Sequence, residues 1–120
     1  MRTILIADDE PHVRRVVAGK LRAAGFEVVT VADGLEALDH VTATRPDLVI
    51  TDHLMPGLTG AELCIRIREL PGCRALPIIL LTAHGHAVTA AAATLVLAKP
   101  FSPRQLLATV ENLLAPAAAA

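Results

Sequence analysis

T-I-L-I-A-D-D-E-P, residues 3–11, decides how the rest of the chain is read. Its first half, Thr3–Ala7, is a short, almost continuously apolar run rich in branched side chains. That is the pattern of a parallel strand covered on both faces. The stretch then turns acidic at Asp8, Asp9 and Glu10, and Pro11 stands where a first-turn proline suits a helix. From Pro11 to Ala24, Val13, Val16, Val17 and Leu21 recur at three- and four-residue steps and form one apolar stripe. Gly25 ends the segment as a C-terminal cap.

The same rhythm continues outward. Strand-like runs fall at Glu27–Val31, Leu48–Thr51, Ile78–Leu81 and Leu95–Ala98. The second is the most mixed in polarity, which suits a sheet edge. Helical spacing fills Gly34–Thr44, stopped by Pro46, and then a segment from Thr59 or Gly60 to Leu70, with Leu63, Ile67 and Leu70 on one face. Ser102 caps a last helix opened by Pro103 and lined by Leu106, Leu107, Val110, Leu113 and Leu114. A fourth of five helices, somewhere in Gly85–Ala93, is short, alanine-rich and uncharged. Alternation of this kind predicts an α/β fold: a doubly wound, five-stranded parallel sheet with right-handed crossovers and helices on both faces. One domain over residues 1–115 is expected, with 116–120 an Ala-rich tail and possible linker stub.

Composition narrows the function classes. The chain has 120 residues, 53% of them hydrophobic, and 11 basic against 12 acidic residues give a formal net charge of −1. No basic field or stripe invites nucleic acid or a membrane surface, so neither is an expected direct partner. No apolar run approaches the ~20 residues of a membrane span. No leader precedes the first strand, and a cytoplasmic location is expected. Cys64 and Cys73 are not in a C-x-x-C arrangement and read as ordinary reduced thiols.

In doubly wound sheets, ligands bind outside the carboxyl ends of the strands. Those ends carry Asp8, Asp9 and Glu10, then Asp52, Thr82 and Lys99. Taken singly, Asp8, Asp9 or Thr82 reads equally well as a helix cap, and Lys99 as a surface charge. Together they converge on one cleft. Three carboxylates in one place repel unless a cation joins them, and a hard, oxygen-preferring Mg²⁺ suits such a donor set. Lys99 and the Thr82 hydroxyl complete an electrostatic cradle for a transferring phosphoryl group. Asp52, on the central strand, is the best nucleophile, because an aspartate can become an acyl phosphate.

These residues resemble the response-regulator receiver domains of two-component signalling over nearly the whole chain. The motifs are I-L-I-A-D-D-E-P (4–11), L-V-I-T-D-H-L-M-P-G (48–57), L-P-I-I-L-L-T-A (76–83) and A-K-P-F (98–101). The resemblance implies strand order 2-1-3-4-5 and a phosphorylatable switch that catalyses only its own phosphorylation and dephosphorylation. It implies Asp52 as phosphoacceptor, fed by a sensor histidine kinase or histidine phosphotransfer protein and read by a downstream effector domain or protein. Mg²⁺ would be held by Asp9 and Asp52, by Asp8 through water, and by the Leu54 carbonyl. Thr82, the Ala83 amide and Lys99 would take the phosphoryl oxygens, next to a cis Lys99–Pro100 bond. The kinase would dock around Pro11, His12, Arg14 and Arg15 and the loops of Pro56 and Phe101.

The chain departs from the family pattern in two places. Val96 stands where an aromatic switch residue is usual, so activation without an aromatic rotamer change is expected. The Thr82-to-Lys99 spacing is short by somewhat more than one helical turn, and with no charged residue between His84 and Ala98 the charged dimer of many members is not expected. His84 reads as a solvated loop residue, and His84-x-His86 alone is too few ligands for a transition metal. Leu54, two after Asp52, cannot assist an attacking water, and Thr59 replaces a frequent aspartate.

Three other readings remain open. A degenerate receiver would serve as a phosphorylation-independent interaction module. A Mg²⁺-dependent aspartyl-phosphate hydrolase would want its nucleophile on the first strand and a cap domain. A flavin-binding module would want a Ser/Thr/Gly-rich phosphate loop after that strand.

Overall fold

A computed structural model describes residues 2–83 and 92–115. Five strands, β1 (Thr3–Ala7), β2 (Glu27–Val31), β3 (Leu48–Asp52), β4 (Ile78–Thr82) and β5 (Leu95–Ala98), form one sheet. All four pairings are parallel, in the order β2-β1-β3-β4-β5. The helices among the described residues are α1 (Pro11–Ala23), α2 (Gly34–Thr44), α3 (Gly60–Glu69) and α4 (Pro103–Leu114). The short helix expected within Gly85–Ala93 falls almost wholly outside the described residues. Ala92 and Ala93, which are described, are not helical.

Alternation along the strands builds two cores. Ile4, Ile6, Ile50, Ile79 and Leu81 point to one face, where Val17 and Leu21 of α1 and Leu106 and Val110 of α4 cover them. Leu5, Ala7, Val49 and Ile78 point to the other, under Ala37 and Val41 of α2 and Leu63 and Ile67 of α3. Strands buried on both faces must be apolar at consecutive positions, and β1, β3 and β4 are. The edge strand β5 is mostly exposed, with Leu95 and Val96 open to solvent. One stripe residue is corrected. Val16 is exposed, and Ala18 takes the buried place, because α1 presents its 17–21 line to the sheet while Val16 turns to a flanking groove with Phe101.

Local signals agree with the boundaries. β3 and β4 each run one residue further than expected, so Asp52 and Thr82 end their strands, paired with Leu81 and Ala98 respectively. Gly25 follows α1 with φ +100°, a conformation in which a Cβ is strained. The Ser102 hydroxyl accepts from Gln105 N at 3.0 Å at the start of α4. Thr59 caps α3 reciprocally: its hydroxyl accepts from Glu62 N, and Glu62 Oε1 accepts from Thr59 N. Arg68 of α3 fastens the far end of the sheet, donating to the carbonyls of Cys73 (2.9 Å), Leu76 (2.6 Å) and Ala92 (2.9 Å). Those bonds tie the α3–β4 loop to the segment leading into β5, the strand that delivers Lys99.

Candidate functional site

Four strand ends meet at one sheet edge. β1 runs into Asp8, whose backbone N–H donates to Val31 O and whose Oδ1 accepts from Glu10 N at 2.9 Å. Asp8 is 1% exposed and Asp52 8%, while Asp9 lies open to solvent. One carboxylate oxygen from each of the three comes within 4.8 Å of the others. Lys99 Nζ lies 2.8 Å from Asp52 Oδ1. Thr82, 4% exposed, closes the group from β4, and its carbonyl accepts from Lys99 N at 2.7 Å. The Lys99–Pro100 peptide is cis. Asp8, Asp9, Asp52, Thr82 and Lys99 therefore gather as the sequence predicts.

The electrostatics of the cluster are unbalanced. Burial pushes the Asp8 carboxyl above its ordinary range against the lowering hydrogen bond from Glu10 N, and the Asp52 charge adds to the rise. Asp8 Oδ2 is buried without a hydrogen-bond partner in the structure. Lys99 supplies one positive charge to three acids and touches only Asp52 among them. An orphaned buried oxygen beside two more carboxylates is a donor set that fits a hard divalent cation.

The remaining expected residues divide. Ala83 follows β4 at this edge and is exposed. Leu54 lies in the β3–α3 loop with its side chain exposed. His84 and His86 lie outside the described residues. Both cysteines are free and buried, and desolvation pushes the Cys64 thiol up to about 11, which keeps it protonated and unreactive at neutral pH. Neither Asp8 nor Asp9 caps α1; its N-cap is Glu10, with no side-chain cap bond. Two residues escaped the sequence reading. Arg14, assigned to docking, reaches inward to the Asp8 carbonyl. Gly60, read only as a helix start, donates its N–H to His53 O at 2.7 Å and closes the loop after Asp52.

The family model for the response regulator receiver domain matches residues 4–111. This chain belongs to that family. As a receiver domain it is 39% identical, over 92% of its length, to the phosphate regulon transcriptional regulatory protein PhoB of Rhizobium meliloti (strain 1021), of which it covers 51%. The receiver domain thus spans about half the length of the curated relatives it matches. It superimposes on a putative response regulator from Chloroflexus aurantiacus J-10-fl with TM-score 0.88 and 42% identity, covering 96% of this chain and 98% of that one. The response regulator TrrA of Thermotoga maritima, in complex with Mg²⁺ and BeF, matches with TM-score 0.86 and 37% identity over 95% and 100% of the two chains. Among the described residues no helix is long and apolar enough to cross a membrane.

Neutralising Asp8 tests the electrostatic imbalance directly. A carboxyl whose folded-state pKa is raised lends stability that is fully present below its unfolded value, near 3.8, and lost as pH rises through the folded value. Metal-free protein should therefore lose stability from this group as the pH is raised from about 3.8 to about 7. Asp8→Asn keeps an acceptor for Glu10 N and removes the charge. In EDTA at pH 7 its Tm should exceed the wild type's by a few degrees. Added Mg²⁺ should reverse the order, because only the wild type gains the full linkage stabilisation. Equal melting curves in EDTA at both pH values would contradict this.

Proposed function

We propose that this receiver domain is a cytoplasmic, Mg²⁺-dependent phosphorylation switch that accepts a phosphoryl group on Asp52. The observation that carries the reading is the Asp8–Asp9–Asp52 cluster facing Lys99 at the Asp52 carboxylate. A bound Mg²⁺ would neutralise the acids and polarise a phosphoryl oxygen. Asp9 and Asp52 would hold it through their side chains, Asp8 through water, and Leu54 through its main-chain carbonyl.

The protein's own groups supply the rest. An Asp52 oxygen forms the new O–P bond as the P–N bond of a donor phosphohistidine breaks, and the electron pair stays on the departing imidazole nitrogen. Lys99, already paired with Asp52, neutralises charge gathering on the phosphoryl oxygens. The Thr82 hydroxyl and the Ala83 amide hydrogen-bond the same oxygens, so phosphorylation draws the end of β4 toward β3. The domain is not an enzyme on other substrates; it catalyses only its own phosphorylation and dephosphorylation. Asp52 stands on β3 rather than the first strand, which disfavours the hydrolase reading.

The donor would be a sensor histidine kinase or phosphotransfer protein. A groove of about 390 Å³ beside the site, lined by His12, Val13, Val16, Lys99 and Phe101 among others, offers it apolar contact. The relatives named as transcriptional and DNA-binding regulators are about twice as long, and nucleic-acid binding would belong to such an additional part, not to this acidic cleft. Labelling by acetyl phosphate tests acceptance without a kinase.

The lifetime of the aspartyl phosphate is a separate expectation. Leu54 is 53% exposed beside the acceptor and offers an attacking water no hydrogen bond. Slow self-dephosphorylation is expected. Leu54→Asn should speed the decay several-fold, followed as inorganic phosphate released after the donor is removed. An unchanged rate would show that water reaches the phosphoryl group without help from this position.

A further inference from the structure

Arg14 sits on α1 among residues expected to meet a kinase, yet its side chain is half-buried and turned inward. Its Nη1 donates to the Asp8 main-chain carbonyl at 2.7 Å. That oxygen lies past Ala7, the last ladder-paired residue of β1, so the sheet does not hold it. It belongs to the planar peptide joining Asp8 to Asp9, so fixing the oxygen fixes the plane from which both acids project. The neighbouring anchors act elsewhere: Asp8 N–H donates to Val31 O, and Asp8 Oδ1 accepts from Glu10 N. Arg14 grips the far side of that peptide, while its own backbone N–H is held by Glu10 O.

We infer that Arg14 is a positioning residue of the acid cluster, aiming the Asp8 and Asp9 carboxylates at a divalent cation through their shared peptide. The inference rests on the Mg²⁺-binding reading above. It is separable from a mere charge effect by sign. A guanidinium near a dication repels it, so loss of charge alone tightens metal binding, whereas loss of aim weakens it. Arg15, next in sequence and exposed, serves as the comparison.

Isothermal titration of the whole chain with MgCl₂ decides the matter, using the wild type, Arg14→Ala, Arg14→Lys and Arg15→Ala, with melting curves in EDTA alongside. Arg14→Ala should weaken Mg²⁺ binding about tenfold, a loss typical of removing a group that orients a ligand. Arg14→Lys, which keeps a donor and the charge, should recover most of it, and Arg15→Ala should match the wild type. The EDTA melting temperature of Arg14→Ala should stay near the wild type's. Unchanged or tighter Mg²⁺ binding by Arg14→Ala overturns the inference, as does equal weakening by Arg15→Ala. So does a weakening that Arg14→Lys fails to relieve and that tracks a collapse in EDTA stability. A wild type that binds no Mg²⁺ sinks the metal reading itself, an outcome distinct from all of these.

Discussion

Asp52→Ala, incubated with Mg²⁺ and acetyl phosphate, should gain no phosphoryl group, while the wild type gains one per chain by intact mass. The expected effect is all or nothing, because the substitution deletes the proposed nucleophile. The other acids of the cluster cannot stand in easily. Asp8 is almost fully buried with one oxygen engaged by Glu10 N, and Asp9 is exposed, whereas Asp52 is the one paired with Lys99. A Lys99 ammonium beside Asp52 would neutralise charge on a phosphoryl group arriving there rather than at its neighbours. The variant should remain folded. Its loss removes one of the charges that raise the Asp8 carboxyl, which offsets the lost ion pair with a partly exposed lysine. Labelling of both proteins would move the acceptor elsewhere. Labelling of neither would favour the phosphorylation-independent interaction module.

Gly60→Ala should unfold or severely weaken the domain, against the direction that helix propensity gives. In a helix interior alanine is better than glycine by about 1 kcal/mol. At this position, however, a Cβ would fall 2.5 Å from Leu80 Cδ1 and 2.9 Å from His53 Cα, and would run into the Asp52 carbonyl. Two of those three obstacles are main chain and cannot rotate away. Overpacking of this kind costs about 3 kcal/mol or more, which is roughly 10 °C in Tm for a domain of this size. The backbone of Asp52 and His53 would have to yield, so the damage falls on the proposed acceptor itself. Urea denaturation and the acetyl-phosphate assay should both report it: a lowered midpoint, and slower labelling of whatever remains folded. A stability equal to or above the wild type's would show that the loop gives way freely.

Much of this molecule could be read from residue order because its elements obey local rules. Apolar runs such as Leu48–Thr51, too short for a helix, read as strands covered on both sides, and Pro11, Gly25, Ser102 and Pro103 mark helix ends through their own backbone geometry. Chirality then leaves few ways to wind strand and helix, and all of them bring Asp8, Asp52, Thr82 and Lys99 to the same edge. The cluster followed from topology before any distance was known.

Other properties depend on neighbours distant in sequence. Whether Val16 or Ala18 faces the core turns on how α1 rolls against the sheet, since an apolar stripe wider than its contact leaves one flank exposed. Arg14 looks like a surface cation until the end of β1 is seen to leave a carbonyl unpaired within its reach. Gly60 looks like an ordinary helix opening until β3 and β4 crowd its α-carbon. The raised Asp8 carboxyl, too, comes from burial that residue type does not foretell. Residue order by itself settled the five strands, the four described helices and which edge carries the acids, because periodicity, capping and handedness act within short stretches. The tertiary structure alone decided how those acids are held, where a glycine has no room for a side chain and which side chains turn inward, because packing and desolvation are set by atoms that meet only once the chain has folded.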